Sequence, residues 1–289
     1  MALVARTSPT VRRKLLRRAL ADPTTVVGAL VVLLVVVVAL FAPALSPYGP
    51  NQMDFLALLE GPSAKHWFGT DELGRDLLSR LMHGARASLS VGVGSALLAC
   101  LLGTTIGMLA GLRGGRLDTV LMRVMDVFFA FPAILLALTL VIVLGTDLRN
   151  IIIALGIIYM PQFARVTRAA TLAVKEEQFV EAAAALGNPA TRVAIRHVLP
   201  NILSPIMVQI TVTVAYAMLA EAGLSFVGLG IQPPEPSWGA MLNTGKTYLE
   251  QHPHLTIFPG GCIMLAVFGF NFLGDGLRDL LDPRLRGGR

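Results

Sequence analysis

Residues Glu181 to Asn201, with the sequence EAAAALGNPATRVAIRHVLPN, form a polar interval between long hydrophobic segments. Residues Thr171 to Leu186 are rich in Ala, Leu, Glu and Lys and contain no Pro or Gly, which favours a helix. Gly187 stands where a residue in the left-handed conformation commonly ends a helix. The sequence therefore predicts a helix that stops at Gly187.

A second helix is predicted directly after Gly187. Asn188 is a favourable N-cap residue, and Pro189 suits the first helical position because its missing N–H would have no partner there. We expect this helix to end by Pro200, since proline disrupts a helix interior. The interval should thus fold as a helix, a sharp turn and a helix.

The turn between these two helices has the features of a docking site. Its small side chains let another surface approach the backbone closely, and charged side chains lie at its rim. An ordinary helical connection is the alternative. We favour the docking interpretation, and we assign the contact with an external protein to Glu181, Ala182, Ala183, Gly187 and Arg192.

The composition is that of an integral membrane protein. Hydrophobic residues make up 54% of the 289 residues, charged residues make up 15%, and the mean hydropathy is +0.68. An ordinary soluble domain has about 25% charged residues. Cys100 and Cys262 both lie in apolar segments, so we expect neither a disulfide framework nor a cysteine metal site.

The hydrophobic pattern divides the chain into parts. We predict a basic arm (residues 1–23), a transmembrane anchor (24–45), an extracytoplasmic loop (46–86), a core with five transmembrane helices and the polar interval at 171–201 (87–282), and a tail (283–289). The anchor exceeds the roughly 20 residues that span a bilayer. A cleaved signal peptide is the alternative, but its apolar run would be only about 7 to 15 residues long. We therefore expect the anchor to be retained.

The core is expected to contain five further membrane-spanning helices. We place them near residues 88–111, 120–144, 150–165, 203–222 and 257–273. The first of these carries Gly103, Gly107 and Gly111 at the small-residue spacing that lets membrane helices pack backbone to backbone. The second contains Pro132, which predicts a kink. The fold class is thus all-α, with six transmembrane helices.

The helix at 150–165 is unusually short. Only 15 uncharged residues separate Arg149 from Arg165, and they extend over about 22 Å as a helix. Either these arginines reach the membrane interfaces or neighbouring protein shelters the helix.

Three carboxylates are predicted in or beside membrane spans: Asp126, Glu221 and Asp275. An ionisable group is costly there, so each suggests either a substrate pathway or a buried partner. The alternative for all three is a carboxylate at a helix end that pairs with a nearby Arg or binds backbone groups there. Glu221 is the first candidate for substrate contact because it is expected near the outer opening, where it could meet a free amino group.

A charged segment precedes the second span, FGTDELGRDLLSRL at residues 68–81. Its carboxylates Asp71, Glu72 and Asp76 alternate with Arg75 and Arg80, which indicates locally paired charge. A catalytic carboxylate pair is the less favoured alternative, because no nucleophile or set of metal ligands accompanies it.

Other patterns also fail to indicate an enzyme. Residues 240–247 fit a relaxed phosphate-loop pattern, but they follow a Pro-rich turn rather than a buried strand. A metal ion bound by His252 and His254 is an alternative, but two histidines without further ligands are more typical of a solvated loop. We predict no catalysis, no cofactor and no metal site in this chain.

The basic residues are distributed unevenly between the two predicted sides of the membrane. Eighteen of the 24 Lys and Arg residues lie on the side that holds both termini and the polar interval. The positive-inside rule places that side in the cytoplasm of a multi-pass plasma-membrane protein. The net charge of +6 is therefore explained by topology, and a nucleic-acid partner is not expected.

The polar interval resembles the EAA loop of ABC-importer permease subunits. The match is carried by E-A-A at residues 181–183, Gly187 six positions after Glu181, and Leu199-Pro200 twelve positions after Gly187. His197 departs from the general pattern, and R-H-V-L-P-N at residues 196–201 is similar to the peptide-transporting subfamily. Residues 68–81, 221–239 and 270–286 are also similar to the second permease of dipeptide and oligopeptide importers.

This resemblance implies a type I ABC-importer permease with a cytoplasmic coupling loop. It implies these partners: a homologous second permease, two ABC ATPase domains that bind ATP and Mg²⁺, an extracytoplasmic substrate-binding protein and membrane lipid. ATP-driven closure of the ATPases would push on the polar interval and switch access across the membrane. The family also includes nickel, glutathione and haem importers, and a secondary transporter is the alternative from another class.

Overall fold

The computed structural model of the chain describes residues 22–281, and these residues form a helical bundle. Almost all of the predicted basic arm and the whole of the tail lie outside this range. The described residues contain ten α-helices: α1 Pro23–Leu45, α2 Leu77–Arg113, α3 Gly115–Phe129, α4 Ala133–Leu144, α5 Leu148–Lys175, α6 Gln178–Ala185, α7 Ala190–Val193, α8 Leu199–Phe226, α9 Trp238–Gly245 and α10 His254–Leu281. A π-helical segment, Ala194–Val198, joins α7 to α8 without a break, and a 3₁₀ turn, Lys246–Tyr248, follows α9.

Five of these helices are long and apolar enough to cross a membrane: α1, α2, α5, α8 with its N-terminal extension, and α10. A sixth crossing is formed if α3 and α4 together count as one span, with a bend of 90° between them. The bend lies at residues 130–132, so the kink predicted near Pro132 is confirmed.

The packing of α2 on α5 shows that α3 and α4 must cross the bundle. Gly94 lies against Ile152, Gly103 against Met160 and Phe163, and Gly107 against Ala164 and Thr167. The residue numbers rise together along both helices, so α2 and α5 run parallel. The chain therefore has to return from one end of the bundle to the other between Arg113 and Leu148, and α3 and α4 are the only helices there.

The bundle has two ends that carry different polar segments. We call the end with residues 46–76 and 227–253 the loop face; there the Phe68 ring stacks on the ring of Phe258, near the start of α10, with centroids 4.1 Å apart. We call the opposite end the elbow face, and residues 176–198 the elbow. Helices α1 and α10 run antiparallel between the two faces, with Gly28 against Phe272 and Gly269 against Val31.

Helix α2 begins earlier than the sequence pattern predicted. It starts at Leu77, within the region assigned to the loop at 46–86, because the Asp76 carboxylate accepts a hydrogen bond from the Ser79 backbone N–H and caps the helix. Its 37 residues exceed what a bilayer requires, so its first turns extend into the loop face.

Helix α5 is sheltered by the rest of the protein. In its most apolar window 61% of the residues are buried inside the bundle, against 28% to 44% in the other four spans. This resolves the question raised by its short uncharged stretch: neighbouring helices surround α5.

Candidate coupling elbow and buried polar sites

The elbow begins with a break that the sequence did not predict. The helix expected over residues 171–186 is interrupted after Lys175, and Glu177 takes an extended conformation (φ −74°, ψ 137°) as the N-cap of α6. The break lets α6 turn its Val180 and Ala183 side chains into the bundle, where they are 4% and 5% exposed. Burial of this face outweighs the helix propensity of the residues at the break.

The predicted stop at Gly187 is confirmed. Helix α6 ends at Ala185, Leu186 is its C-cap, and Gly187 adopts a φ of +79°. The Gly187 N–H donates to the Ala184 carbonyl at 2.9 Å, which satisfies one of the orphan groups at the helix end.

The roles predicted for Asn188 and Pro189 were wrong. The Asn188 Nδ2 group donates to the Ala183 carbonyl at 2.8 Å, so this side chain caps the end of α6 rather than the start of α7. Pro189 is itself the N-cap of α7, with its carbonyl accepting from the Arg192 and Val193 N–H groups. Proline serves there because an N-cap needs a carbonyl acceptor and has no required N–H.

The expected helix end at Pro200 was also wrong. The chain stays helical from Ala190 to Phe226. The π-helical segment Ala194–Val198 leads directly into α8, which begins at Leu199. Pro200 lies in the first turn of α8, where its missing N–H is tolerated. The second limb of the elbow is therefore continuous with a membrane span.

The elbow exposes most of the residues assigned to partner contact. Glu181, Ala182, Gly187 and Arg192 are exposed, whereas Ala183 faces the bundle and supports the elbow from inside. Two apolar residues that the sequence analysis missed are more prominent. Leu186 is 83% exposed and Ile195 is 63% exposed. The sequence did contain an indication that Leu186 is exposed, because Leu186 comes directly before Gly187, the left-handed residue that ends the helix.

Glu221 lies in a sealed polar site between α2, α8 and the start of α9. Its side chain has 0% exposure, and it accepts hydrogen bonds from Ser225 Oγ at 2.7 Å and Ser88 Oγ at 3.2 Å. The Trp238 backbone N–H donates to the same Ser88 hydroxyl at 3.4 Å. In this conformation the Glu221 carboxylate joins three segments and lines no open path.

Neither of the other two carboxylates proposed for the pathway is buried: Asp126 is partly exposed and Asp275 is exposed. The Asp126 Oδ1 atom accepts from Arg165 Nη2 at 2.7 Å, and the two side chains are 43% and 51% exposed. The Arg165 guanidinium also lies 3.9 Å from the centroid of the Phe129 ring. Asp275 lies on an exposed part of α10. The three predicted pathway carboxylates therefore do not lie together in the structure.

The charged segment before α2 is packed into the loop face. Asp71 and Arg75 form the predicted pair, with Arg75 Nε 2.7 Å from Asp71 Oδ2, although the backbone there is a set of turns and not a helix. His66 Nδ1 lies 2.9 Å from Asp76 Oδ1, and both side chains are buried. This part of the chain fixes the start of α2.

The histidine pair on the loop face does not meet further ligands. The rings of His252 and His254 have centroids 5.9 Å apart. Within residues 22–281, no group of three or more His, Cys, Asp or Glu side chains is arranged to hold a metal ion.

The spans and the exposed elbow define a multi-pass helical membrane protein, and comparison with known proteins defines its family. Residues 103–287 match the family described as "Binding-protein-dependent transport system inner membrane component", and residues 10–62 match "N-terminal TM domain of oligopeptide transport permease C". The chain belongs to this family of transport permeases, which are not enzymes.

Full-length relatives agree with this assignment. The chain is 44% identical over 275 residues to the glutathione transport system permease protein GsiD of Pectobacterium atrosepticum, covering 95% of this chain and 91% of the relative. It is 43% identical over 261 residues to the dipeptide transport system permease protein DppC of Alkalihalophilus pseudofirmus, covering 90% and 86%.

A solved structure confirms the fold. The methionine ABC transporter MetNI, in inward-facing conformations, has a chain that superposes with a TM-score of 0.57 at 20% identity, covering 70% of this chain and 97% of that one. The fold is that of an ABC-importer permease.

Proposed function

We propose that this permease imports di- or oligopeptides, with glutathione among the candidates, across the cell membrane. The names of the two relatives, a glutathione permease and a dipeptide permease, support this cargo class over nickel or haem. The proposed assembly contains a homologous second permease, two ABC ATPase domains and an extracytoplasmic binding protein. ATP and Mg²⁺ would be held by the ATPases, and this chain would hold no cofactor.

The elbow is the proposed contact with the ATPases. The main evidence for this proposal is the apolar side chain of Leu186, which we call the tip of the elbow and which is 83% exposed. It lies outside the membrane spans, next to the left-handed turn at Gly187. Large apolar side chains that protrude from a polar segment are typical of protein-binding surfaces. The second limb of the elbow is continuous with α8, so a push on the tip would reach the bundle directly.

The proposed orientation places the elbow face in the cytoplasm. Basic residues concentrate on that side, and cytoplasmic segments carry the excess of Lys and Arg in membrane proteins. Both termini would then be cytoplasmic, and the loop face would meet the binding protein.

Co-purification of the tagged chain from its native membrane tests the assembly. We expect mass spectrometry to find an ATPase, a second permease and a binding protein. The Leu186→Asp variant should lose the ATPase and keep the second permease, because a charge replaces the apolar tip. Leu249→Asp, at a 48% exposed leucine on the loop face, is the matched control.

The two proposals can fail separately. Recovery of the chain without any ATPase would favour a secondary transporter. Equal ATPase recovery with wild type and Leu186→Asp would refute the role of the elbow while leaving the importer assignment intact.

A further inference from the structure

A pair of glutamine side chains joins α5 to α8 inside the membrane-spanning part of the bundle. Gln209 Nε2 donates to Gln162 Oε1 at 3.2 Å and to Thr213 Oγ1 at 3.2 Å. Measured from the loop-face end of each helix, Gln162 lies about 20 Å beyond Arg149 on α5, and Gln209 lies about 26 Å from Phe226 on α8. Both amides therefore lie within the apolar layer of a bilayer, which is about 30 Å thick.

The glutamine pair retains free hydrogen-bonding groups. An amide carries two donor hydrogens and an acceptor oxygen, so a single contact between two amides leaves other groups unused. Gln162 Nε2 and Gln209 Oε1 make no hydrogen bond within residues 22–281, and both side chains are partly exposed. A polar group that faces lipid tails is costly, so this part of the bundle surface is suited to water or to a polar molecule.

An open cavity of about 240 Å³ lies on the same surface, between α4, α5 and α8. Its wall is mostly apolar and includes Ile158, Tyr159, Tyr216 and Ala220. Tyr216 is 53% exposed, so the cavity opens to the outside of the chain. Tyr159 precedes Gln162 by three residues, a spacing that makes the two side chains neighbours on the helix surface. We call the cavity and the glutamine pair together the α5–α8 groove.

The α5–α8 groove combines two features that suit a short peptide. The free amide groups can pair with the donors and acceptors of a peptide backbone. An engineered cavity of about 150 Å³ holds benzene, so the larger cavity here has room for a large apolar side chain. Sites for small molecules commonly have this composition, an apolar wall with a few polar groups.

We propose that the α5–α8 groove is a cargo-binding site on the translocation path and that it holds a peptide in passage. Gln162 and Gln209 bind the peptide backbone, and the cavity holds one apolar side chain. The groove therefore discriminates among peptides by the size of that side chain. This inference rests on the proposed function, because it takes a peptide as the cargo.

Water access to the groove is measured by cysteine labelling of the assembled transporter in native membrane fragments, in a chain with Cys100 and Cys262 replaced by Ser. We expect a charged methanethiosulfonate reagent to modify Gln209→Cys and Tyr216→Cys about tenfold faster than Leu34→Cys, because the reactive thiolate forms in water and not in lipid. Leu34 is the matched control, since it is 61% exposed at the middle of α1. Equally slow reaction at all three positions would overturn the proposal, because the groove would then face lipid or a dry protein contact.

Uptake of two peptides tests the contact with cargo. Ala220→Leu narrows the cavity, so it should lower the uptake of leucyl-leucine relative to alanyl-alanine about tenfold by overpacking the larger side chain. Both rates come from the same preparation, so a loss of folded protein does not change their ratio. Ala29→Leu, at an exposed alanine of α1, is the matched control and should leave the ratio at the wild-type value.

The backbone contact has a different signature. Gln209→Leu should lower the uptake of both peptides and leave their ratio unchanged, because every peptide presents the same backbone groups. Uptake of both peptides at the wild-type rate in Gln209→Leu would remove the amides from the site.

The inference and the proposed function fail in different ways. A wild-type ratio in Ala220→Leu, in a transporter that takes up both peptides, would show that cargo bypasses the cavity and would overturn the groove alone. Failure of the wild type to take up either peptide would refute the proposed cargo, and with it the peptide as occupant. The labelling rates need no cargo, so they would still decide whether the groove faces water.

Discussion

A carboxylate with no exposed surface needs hydrogen-bond donors, and Glu221 obtains them from Ser88 and Ser225. These donors belong to α2 and α8, so the carboxylate holds two membrane helices together. Trp238 connects the start of α9 to α2. Its backbone N–H donates to the Ser88 hydroxyl, and its indole N–H donates to the Leu81 carbonyl at 2.9 Å. The sequence pattern indicated a costly intramembrane carboxylate, and the structure shows that each of its two oxygens accepts a hydrogen bond from a serine hydroxyl.

The first prediction concerns this site. Replacing Glu221 by Ala leaves buried hydroxyl groups without an acceptor, at a cost of roughly 1–3 kcal/mol each. We expect a clear drop in the melting temperature of the detergent-solubilised chain, a smaller one for Glu221→Gln, and none for Glu250→Ala at an exposed site. The cargo concentration for half-maximal uptake should stay unchanged in Glu221→Gln. A weaker apparent cargo affinity at unchanged stability would instead support the pathway role.

The second prediction concerns Gly187. Its φ of +79° is unfavourable for residues with a side chain, while no atom lies within 4 Å of a Cβ placed there. Backbone strain is therefore the whole cost, about 1–2 kcal/mol for an ordinary residue. Asn tolerates this conformation, so Gly187→Asn should retain the ATPase in pull-down experiments, whereas Gly187→Val should lose a measurable fraction. Equal recovery with both variants would contradict a fixed turn geometry.

At the scale of the elements, α2 and α5 pack backbone to backbone. The predicted small-residue stripe is responsible: a Cβ at Gly103 would overlap the Met160 carbonyl, and one at Gly107 would overlap the Ala164 carbonyl. The spacing of the glycines predicted a close neighbour, but it contained no information about which helix that neighbour is.

The third prediction tests this packing. Gly107→Val should separate α2 from α5 or strain the bundle, and overpacking of this kind costs about 1–3 kcal/mol or more. Gly261→Val is the matched control, because Gly261 lies within α10 with open space around its Cα. We expect lower melting temperature and lower membrane yield for the first variant alone. Similar behaviour of both variants would show that the contact tolerates expansion.

At the scale of the whole molecule, the parallel arrangement of α2 and α5 fixes the number of crossings. Because α3 and α4 return the chain from the end of α2 to the start of α5, residues 22–281 begin and end on the same side as the elbow. The two long polar segments, residues 46–76 and 227–253, then lie together on the loop face.

The fourth prediction tests this topology. In a chain with Cys100 and Cys262 replaced by Ser, we introduce one cysteine at Leu56 or at Leu186, which are 99% and 83% exposed. A membrane-impermeant maleimide added to intact cells should label the Leu56→Cys chain only. Permeabilised cells should label both. Labelling of the Leu186→Cys chain in intact cells would invert the proposed orientation.

The sequence alone determined the class of the protein and the place of the elbow. Long apolar runs require membrane spans, and a glycine after a helix-forming stretch ends that helix wherever it lies, because both effects are local. The bend at Pro132 and the small-residue stripe on α2 were predictable for the same reason.

Only the tertiary structure decided which surfaces are buried. Burial of Val180 and Ala183 breaks the helix before the elbow, and enclosure by other helices allows α5 its short apolar stretch. Packing against α2 and α9 buries Glu221 completely. These outcomes depend on residues far apart in the chain. Local propensities are worth only fractions of a kcal/mol per residue, so burial of distant side chains overrides them.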